Sequence, residues 1–498
     1  MTKVLVAGGG TTGTIIASVL KSRWGNAAEV HMVYDHSKPG LGVGESTTPA
    51  ILVYLVDIVQ CPFEEVIRHS NCTVKLGIRF KDWLNDGTCY DHNFSSVSEE
   101  EVPGVGHTSN GTLGYEIANE LNNNASSYSP EYLDNNLIPL TGGGTFALHI
   151  DASKFSKYIQ SRFEGRIKYI DGVISKVITQ NNSISKVILE DGQELVYDLY
   201  IDATGNSRSL IKHLHPEWVS RRDYIPVNRS LATSVSNPDG PVPPYTLSEA
   251  SKDGWIWSAP LGNRYGTGYL YSTDHTSDDE AHKRYSQWLK KHHSHTFTDC
   301  RTIDFESGYL KEQWIGNCIS TGIASGFIEP LESTAIHTVV FQSELISQFY
   351  PFRVLDYNRG TYNQKVISLC EEVVDFIRLH YYTKRRDSKF WRYMDDTTPD
   401  WIVELGEKAK FDFFNGYDIR NPRNLFDHNN YTILLDGLGL HTPRGASYYL
   451  QRTKIYNIAK EVHTSMMRVK AKNRMNVMDH RQYINYVLGS QSQGDHHY

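Results

Sequence analysis

The 498-residue chain is informative first through what it lacks. No run of 18 or more uninterrupted apolar residues occurs, so no bilayer-spanning helix is expected. The opening "MTKVLVAGGG" has too short an apolar run for a signal peptide, and it continues into glycines where a cleavage site would follow. The six cysteines form neither a CxxC pair nor a zinc spacing with histidine, which predicts free thiols, no metal site and a cytoplasmic location.

Charge of one sign is also scarce. The chain carries 50 Lys and Arg against 57 Asp and Glu, a net charge of −7, and it has no long run of like charges. Proteins that bind nucleic acid usually concentrate basic residues on one face or in one arm. Neither nucleic acid nor a membrane is therefore an expected partner.

The first forty residues predict a strand, a tight glycine turn and a helix. Residues 4–7 form a short buried-strand run, and apolar residues after the glycines recur at helical spacing. A second strand over 29–35 completes a βαβ unit of the length that dinucleotide-binding folds use. The unit predicts a nucleotide site at the glycine turn.

Three glycines of that turn, Gly8, Gly10 and Gly13, form a GxGxxG pattern. The first permits the tight turn, the second lets a pyrophosphate approach the backbone, and the third lets the helix pack on the strand. The anion is expected at the helix N-terminus. A ribose-binding carboxylate is expected near the end of the second strand, where Asp35 is the only candidate.

Later segments predict a mixed architecture. Residues 85–150 are polar and rich in Asn, Gly and Ser, which predicts an insertion of loops and short strands. Residues 168–202 alternate between turn signals, as an antiparallel meander does, and end in a strand. We expect a core over 1–390 and a helical substrate cap over 391–498, which ends in the flexible tail "GSQSQGDHHY".

The end of the meander carries a second nucleotide signal. "YIDATGNSRS", Tyr200–Ser209, resembles the second FAD fingerprint of the glutathione-reductase-type flavoproteins. No second GxGxxG appears between a strand and a helix, so an outside source is expected to supply the reducing equivalents. The expected fold is α/β, with a GxGxxG FAD-binding, glutathione-reductase-like domain, an interleaved mixed β-sheet substrate region and a C-terminal helical cap.

Six segments together carry a more specific resemblance. They are "GGGTTG" at 8–13, "GVGESTTP" at 42–49, "CTVKLGIRF" at 72–80, "GWIWSAP" at 254–260, "GFIEPLESTAIH" at 326–337 and "LHYYTKRRDSKFW" at 379–391. Their order and approximate spacing are similar to those of the flavin-dependent halogenases of the tryptophan-halogenase type. The resemblance extends from the first strand to about residue 391 and fades over the last hundred residues.

The resemblance implies an activity and its cofactors. Such enzymes use FADH2 and O2 to oxidise halide to hypohalous acid at a flavin hydroperoxide, and then halogenate an electron-rich aromatic by electrophilic substitution. The expected substrate is an indole or a phenol. A separate flavin reductase is the expected partner, either in transient contact or through diffusion of FADH2. Two alternatives remain open: a flavin-dependent aromatic monooxygenase and a non-catalytic flavin-binding protein.

Two residues are expected to carry the aromatic chemistry. Lys75 lies on an alternating run, and its pattern alone indicates a solvated strand lysine. The resemblance instead implies that it polarises hypohalous acid by a hydrogen bond or traps it as a haloamine. Glu332 precedes a predicted helix, where a carboxylate is favoured by the helix dipole. The resemblance implies that it stabilises the cationic ring intermediate and helps to remove its proton.

The resemblance also implies a halide site and a flavin site. Ser333, Thr334 and Ala335 offer backbone N–H groups to the halide at a helix start. Ala335 replaces the glycine of the family pattern, and we therefore expect bromide or iodide to outcompete chloride. The expected FAD-binding residues are Gly8, Gly10, Thr12, Gly13, Asp35, Gly44, Glu45, Val173, Ile323 and Ile336.

The two tryptophans of "GWIWSAP", Trp255 and Trp257, fall on one face of a predicted strand. Taken alone, such a pair indicates core packing. The resemblance implies that the pair lines the flavin chamber and separates it from the organic substrate, although Ala259 stands where the family has isoleucine. Aromatic residues within 410–440 are candidates either for substrate stacking or for the core of the cap.

Overall fold

A computed structural model describes the chain over residues 2–38, 44–94, 109–121, 130–140, 145–293, 300–349, 356–415, 418, 425–473 and 476–489. The chain forms two compact units, each assembled from three separate segments. The first unit contains Met1–Cys72, Ile150–Pro226 and Phe305–Val374, and the second contains Thr73–His149, Val227–Asp304 and Asp375–Tyr498. This division differs from the expected 1–390 core and 391–498 cap, because both units draw on the middle of the chain.

The strands of the described residues are β1 Thr2–Ala7, β2 Ala28–Tyr34, β3 Glu45–Ser46, β4 Thr73–Lys75, β5 Gly77–Lys81, β6 Cys89–Asn93, β7 Leu137–Pro139, β8 Ala147–Ile150, β9 Lys168–Asp171, β10 Ile174–Gln180, β11 Ser183–Leu189, β12 Glu194–Leu195, β13 Leu199–Asp202, β14 Trp218–Ser220, β15 Arg229–Ser236, β16 Tyr245–Ser251, β17 Gly254–Pro260, β18 Arg264–Tyr271, β19 Arg301–Asp304, β20 Gly308–Leu310, β21 Trp314–Ile315, β22 Cys318–Ser320, β23 Gly326–Phe327 and β24 Val477–Asp479.

The α-helices of the described residues are α1 Thr11–Trp24, α2 Ala50–Leu52, α3 Phe63–Ser70, α4 Ser109–Ala118, α5 Pro130–Asp134, α6 Ala152–Arg162, α7 Asp278–His293, α8 Thr334–Phe349, α9 Asp356–His380, α10 Lys389–Asp396, α11 Asp400–Ala409, α12 His428–Gly437, α13 Pro443–Thr453, α14 Tyr456–Asn473 and α15 His480–Gly489. One π-helical turn follows α2 over Val53–Ile58, and a 3₁₀ turn over Gly322–Ala324 follows β22. Strands occupy much of the first two thirds of the chain, and helices dominate the last third, as the sequence predicts.

A six-stranded sheet in the order β21-β22-β13-β1-β2-β9 forms the centre of the first unit. All neighbours are parallel except β21 and β22. Helix α1 connects β1 to β2 and packs against α6 and α8, with Ile15, Ile16, Val19 and Leu20 fully buried. The predicted βαβ unit is therefore present, and the fold is mixed α/β as expected.

The predicted meander over 168–202 is only partly correct. Strands β10, β11 and β12 do form an antiparallel three-stranded sheet. The two flanking strands, β9 and β13, instead join the parallel sheet on β2 and β1. Alternating apolar residues identify a strand but carry no information on its partner, because a strand buried on one face looks the same in either sheet.

A seven-stranded sheet in the order β19-β15-β18-β17-β16-β5-β6 forms the centre of the second unit. Its only parallel pair is β16 with β5. Helix α7 covers one face, where Ile256, Tyr269, Trp288 and Leu289 share a hydrophobic core. Outside this sheet, β4 pairs with β8 and β7 pairs with β24, both antiparallel.

The polar segment 85–150 contains helices that the sequence does not predict. Its described part includes α4 and α5 beside β6, β7 and β8. Helix α4 packs against α13 and α14 from the end of the chain, so distant tertiary contacts stabilise a segment whose own composition favours loops. Residues 490–498 of the predicted tail lie outside the described residues. Within the described part of the chain, no helix is long and apolar enough to cross a membrane.

Candidate active site

The glycine turn between β1 and α1 has the geometry that its pattern requires. Gly8 adopts a φ of +119°, and a Cβ atom there would lie 2.3 Å from the carbonyl oxygen of Ala203. A Cβ at Gly13 would lie 1.9 Å from the carbonyl oxygen of Gly8. A Cβ at Gly10 would meet nothing within 4 Å. Gly8 and Gly13 thus close the turn, and Gly10 leaves the open approach that an FAD pyrophosphate needs.

Asp35 follows the last residue of β2, at the sheet edge where a ribose-binding acid is expected. Its Oδ1 accepts hydrogen bonds from the backbone N–H and the hydroxyl of Ser37, at 3.0 Å and 2.5 Å. These bonds lower the pKa of Asp35, and the ammonium of Lys38 lies 3.2 Å from Oδ2. The acid is therefore held ionised at the expected place. Residues 39–43, which begin the "GVGESTTP" segment, lie outside the described residues.

The second fingerprint forms a turn organised by one buried carboxylate. Asp202 ends β13, and its Oδ1 accepts the N–H and hydroxyl of Thr204 at 3.0 Å and 2.6 Å. Its Oδ2 accepts the N–H groups of Leu210 and Ile211, each at 2.8 Å. A carboxylate with four donors shapes the surrounding backbone. The Asp of "DATG" therefore holds the turn together at the carboxyl end of the parallel sheet.

Four separate segments of the first unit meet at the start of α1. A Cβ at Gly322 would lie 2.5 Å from Oγ1 of Thr12, so the 322–324 turn lies directly against the helix start. The N–H of Gly322 also donates to Oε1 of Gln342 on α8, at 3.0 Å. Thr48 Oγ1 and His337 Nδ1 lie 3.2 Å apart, so the "GESTTP" segment also contacts α8. The fold thus brings together the segments that carry most of the expected FAD contacts.

Glu45 is an ionisable group of this region whose pKa is strongly shifted. It follows Gly44, whose φ is +94°, and its Oε1 accepts the Thr11 hydroxyl at 3.5 Å. Burial raises the pKa of Glu45 to about 7, and the hydrogen bond from Thr11 partly opposes that rise. The carboxyl therefore changes charge near neutral pH beside the first turn of α1.

The three apolar residues of the expected FAD set have different environments. Val173 follows β9, and its carbonyl oxygen accepts the Glu190 N–H at 2.9 Å. Ile323 lies in the turn beside Thr12, and 37% of its surface is exposed. Ile336 lies in the first turn of α8 and is buried. An exposed isoleucine beside a nucleotide turn offers apolar surface to a ring system.

The "EPLEST" segment forms a tight turn that leads into α8. Ser333 adopts a φ of +59°, and its N–H donates to the carbonyl oxygen of Pro330 at 3.1 Å. A positive φ is unusual for serine, and such strain is concentrated at functional sites. Glu332, Ser333 and Thr334 are buried, whereas Ala335 is exposed. The helix begins at Thr334, so the N–H groups of its first turn have no partner within the helix.

Lys75 is completely buried, contrary to the solvated strand lysine that its alternating pattern indicates. The run 72–80 is also not one strand, because it breaks at Leu76 into β4 and β5, which belong to different sheets. The ammonium nitrogen of Lys75 lies 4.9 Å from the centroid of the Phe94 ring, in a cation–π arrangement. A buried ammonium over an aromatic face is an unusual and costly arrangement, typical of a functional lysine.

Hydrogen bonds connect the strand of Lys75 to the tryptophan strand. The Thr73 hydroxyl donates to the carbonyl oxygen of Pro260 at 2.6 Å, so its oxygen accepts from Nδ1 of His149 at 3.1 Å. His149 Nε2 then accepts the Thr246 hydroxyl at 3.0 Å. Burial and the charge of Lys75 hold the pKa of His149 well below its usual value. The network thus fixes a neutral histidine two residues from the buried ammonium in the strand register.

The two tryptophans of β17 lie on the sheet face opposite α7. Ile256, between them, points into the core under that helix, so Trp255 and Trp257 point the other way. Trp255 is 1% exposed and Trp257 is partly exposed. A Cβ at Gly268 would lie 2.5 Å from Nε1 of Trp257, so the glycine makes room for the indole. The pair therefore belongs to a different face from the main helix-covered core.

Several neighbours of Lys75 were not found from the sequence. Phe94 follows a strand in the polar segment, and His149 lies in the apolar strand "ALHI" with no motif around it. A lone histidine in an apolar strand is the one sequence signal from which this buried polar network could have been predicted. The cap aromatics divide as follows: Phe413, Phe414 and Phe426 are buried, and Phe411 is exposed. Tyr417 lies outside the described residues.

Comparison with known proteins gives the family. The model of the tryptophan halogenase family matches residues 3–453. RebH, a tryptophan 7-halogenase of Lentzea aerocolonigenes, is 28% identical over 483 residues, which cover 88% of this chain and 89% of RebH. BrvH, a flavin-dependent halogenase from Brevundimonas sp. BAL3, superposes with a TM-score of 0.81 at 25% identity, over 98% of this chain and 99% of its own.

The fold agrees over the same length. SttH, a tryptophan 6-halogenase from Streptomyces toxytricini, superposes with a TM-score of 0.88 at 23% identity, covering 97% of this chain and 99% of its own. A match of this extent includes both compact units and every segment of the resemblance found in the sequence. The chain therefore belongs to the tryptophan halogenase family, a family of flavin-dependent halogenases.

Proposed function

We propose that this protein uses FADH2, O2 and halide to halogenate an electron-rich aromatic molecule of the indole or phenol type. The overall reaction balances as ArH + X⁻ + H⁺ + O2 + FADH2 giving ArX + FAD + two H2O. The observation that carries the proposal, beyond family membership, is the burial of Lys75 over Phe94. The ammonium of a surface lysine would be hydrated by bulk water, whereas a buried ammonium can donate a hydrogen bond to a reagent inside the protein.

The first unit is proposed to hold FAD. Gly10 supplies the open approach for the pyrophosphate, Asp35 the ribose contact, and Thr12 and Glu45 the contacts at the start of α1. Gly8, Gly13, Gly44, Val173, Ile323 and Ile336 complete the proposed set. When bound and reduced, FAD supplies with O2 the two-electron oxidation of halide to hypohalous acid.

The turn before α8 is proposed to hold the halide. The N–H groups of Thr334 and Ala335 begin the helix, and Ser333 turns the backbone toward them with its positive φ. An anion at this position is stabilised by N–H groups without helical partners and by the helix dipole. These residues hold the ion through hydrogen bonds and form no covalent bond to it.

Lys75 and Glu332 are proposed to act on the later step. The ammonium of Lys75 donates a hydrogen bond to the oxygen of hypohalous acid, which weakens the O–X bond as the ring carbon attacks the halogen. The hydroxide that leaves takes up a proton and departs as water. Glu332 stabilises the cationic ring and removes its proton, which restores aromaticity. Trp255 and Trp257 are proposed to separate halide oxidation from the aromatic substrate.

A separate flavin reductase is proposed to supply FADH2, since the chain has no second GxGxxG for its own reductant. The six cysteines are free, which agrees with a reducing, cytoplasmic location. Tryptophan is the first substrate to test, because RebH is named for it.

The direct test supplies FADH2 through a flavin reductase and offers chloride, bromide and iodide in turn with a panel of indoles and phenols. Mass spectrometry reads the products. We expect a halogenated product only when halide is present. A hydroxylated product that forms equally well without halide would instead favour a monooxygenase. Rapid reoxidation of bound FADH2 with no halide-dependent product would favour a non-catalytic flavin-binding protein.

A further inference from the structure

His480 is a buried histidine from the far end of the chain that contacts the strand of Lys75. It begins α15 and lies beyond residues 3–453, the part that the family model matches. Its side chain has no exposed surface. The N–H of Val74 donates to its Nε2 at 3.0 Å, and its Nδ1 lies 2.9 Å from the carbonyl oxygen of Val242.

The two backbone partners fix the protonation state of the ring. A carbonyl oxygen only accepts, so Nδ1 of His480 carries the proton, and a backbone N–H only donates, so Nε2 carries none. Burial lowers the pKa of His480 to about 3, in agreement with that neutral form. Adding a proton at Nε2 would set two N–H groups against each other and release Val74.

The ring lies where a direct backbone hydrogen bond would otherwise continue a ladder. Two residues along the strand, the N–H of Leu76 donates directly to the carbonyl oxygen of Pro244 at 2.7 Å. From Gly77 onward, β5 pairs in parallel with β16. At Val74, the imidazole bridges to Val242 in place of that direct bond. The imidazole therefore lies between the backbones of Val74 and Val242 and keeps them further apart than a direct hydrogen bond would.

Lys75 lies between the bridged position and the direct bond. Its own strand pairs on the other side with β8, where Lys75 is opposite Ala147. One edge of β4 is thus fixed by β8, and the other is fixed by the imidazole at Val74 and by Pro244 at Leu76. The backbone from which the lysine side chain extends is defined on both sides, and this limits the positions that its ammonium can reach.

We propose that His480 is a positioning residue for Lys75. Its neutral imidazole sets the distance between β4 and the backbone of Val242, and it thereby fixes the position at which the ammonium meets the reagent. The proposal rests on the proposed role of Lys75 in the halogenation step. It predicts that loss of the bridge leaves halide oxidation intact and lowers the efficiency with which hypohalous acid is passed to the aromatic.

The test compares two rates in the full-length enzyme with FADH2 and bromide. The first is the rate at which brominated tryptophan, or the brominated form of the preferred aromatic substrate, is formed. The second is the rate of halide oxidation, measured with a soluble β-diketone that consumes free hypohalous acid. We expect His480→Phe to lower the ratio of the first rate to the second about tenfold or more, since a small displacement of a reacting group has effects of this size. FAD binding should stay unchanged.

Two polar variants separate positioning from general packing. Glutamine places an amide N–H and a carbonyl oxygen at the reach of the two ring nitrogens, so His480→Gln should restore most of the ratio. Asparagine is one methylene shorter and reaches Val242 without Val74, so His480→Asn should behave like His480→Phe. If the Phe variant fails to fold, the Gln and Asn pair still decides the question.

Arg481 supplies the matched control. Its guanidinium donates to the carbonyl oxygens of Gly240 and Asn237, each at 3.0 Å, and to that of Gly262. None of these three acceptors belongs to β4, so the bonds hold α15 at other positions. Arg481→Leu should therefore lower the melting temperature and keep the ratio. A ratio lowered equally by Arg481→Leu, or left unchanged by His480→Asn and His480→Phe, would overturn the proposal. A ratio left unchanged by Lys75→Ala would instead reject the proposed role of the lysine itself.

Discussion

The two compact units specify their functional residues in different ways. In the first, Gly8, Gly10 and Gly13 lie within six residues, and each has a steric environment that its place in the pattern dictates. In the second, the strand of Lys75 is held by Pro260, His149 and His480, which are spread over most of the chain. Backbone shape is thus encoded locally, whereas the burial of an amine is encoded by distant residues.

The difference has a physical cause. A nucleotide turn needs absent side chains at fixed offsets, and glycine supplies them wherever the rest of the chain lies. A buried ammonium needs hydrogen-bond acceptors, a counter-charge or an aromatic face around it, and no contiguous segment can surround its own side chain. The comparison therefore predicts that local changes will disable the first unit and that long-range changes will disable the second.

Replacing the buried amine should give the largest effect. We expect Lys75→Ala to lower aromatic halogenation about a hundredfold or more, as loss of a positioned proton donor does, while FAD still binds. Mass spectrometry of the product and flavin absorbance of the purified protein measure the two quantities. The control is Lys81→Ala, because Lys81 lies on the next strand, pairs with Glu249 and is partly exposed. Near-normal turnover in Lys75→Ala would show that burial there serves structure alone.

A side chain at the open glycine should disable the first unit. Gly10→Asp is expected to prevent FAD binding, because the new carboxylate occupies the approach of the pyrophosphate and adds charge of the wrong sign. The measurement is the flavin that co-purifies with the protein. Gly360→Asp is the matched control, because a Cβ at Gly360 also meets nothing within 4 Å but lies on α9. Unchanged flavin in Gly10→Asp would contradict the assigned fingerprint.

The sequence predicts the first unit better than the second for the same reason. The βαβ unit, the Asp35 position and the turn before α8 all follow from short patterns, and the structure contains each of them. The interior position of Lys75 does not follow from its alternating run, because alternation cannot distinguish a solvated face from a second buried face. Helix α4 was missed similarly, since α13 and α14 stabilise it from more than 300 residues away.

Glu45 offers a prediction of intermediate size, through pH. Burial raises its folded pKa from 4.5 to about 7, so its contribution to stability is full below about pH 4.5 and is lost as pH rises toward 7. Glutamine does not ionise, so Glu45→Gln should raise the melting temperature of the flavin-free protein at pH 8 and change it little at pH 4.5. Thermal scans across this range measure the difference.

Thr11 sharpens the same test. Its hydroxyl donates to Glu45 and favours the ionised form, so Thr11→Val should move the loss of stability to higher pH, in the opposite sense to Glu45→Gln. A difference between Glu45→Gln and the unmodified protein that stays constant from pH 4.5 to 8 would show that the carboxyl does not titrate in this window. The outcome decides whether the stability of the first unit depends on the ionisation of Glu45.

The smallest expected effect concerns the halide, at the turn before α8, where the resemblance implies a glycine and this chain has Ala335. Halide oxidation becomes easier from chloride to bromide to iodide, and the desolvation cost falls as the ionic radius grows. Both trends favour heavier ions unless the site is fitted to chloride. Ala335 places a methyl group in the first turn of α8, beside the N–H groups proposed to bind the ion, and larger ions tolerate longer contacts.

We therefore expect bromide or iodide to outcompete chloride at equal concentrations, and Ala335→Gly to shift the product ratio back toward chloride. Glycine also loosens a helix, at a cost of about 0.5–1 kcal/mol relative to alanine. Gln348→Gly, at an exposed position near the end of α8, controls for that loosening because it lies far from the first turn. Chlorinated product that dominates in the unmodified protein would reject the preference, and an equal shift in both variants would assign it to helix stability. A shift confined to Ala335→Gly would place halide selection in a single methyl group, the local kind of encoding that the first unit uses throughout.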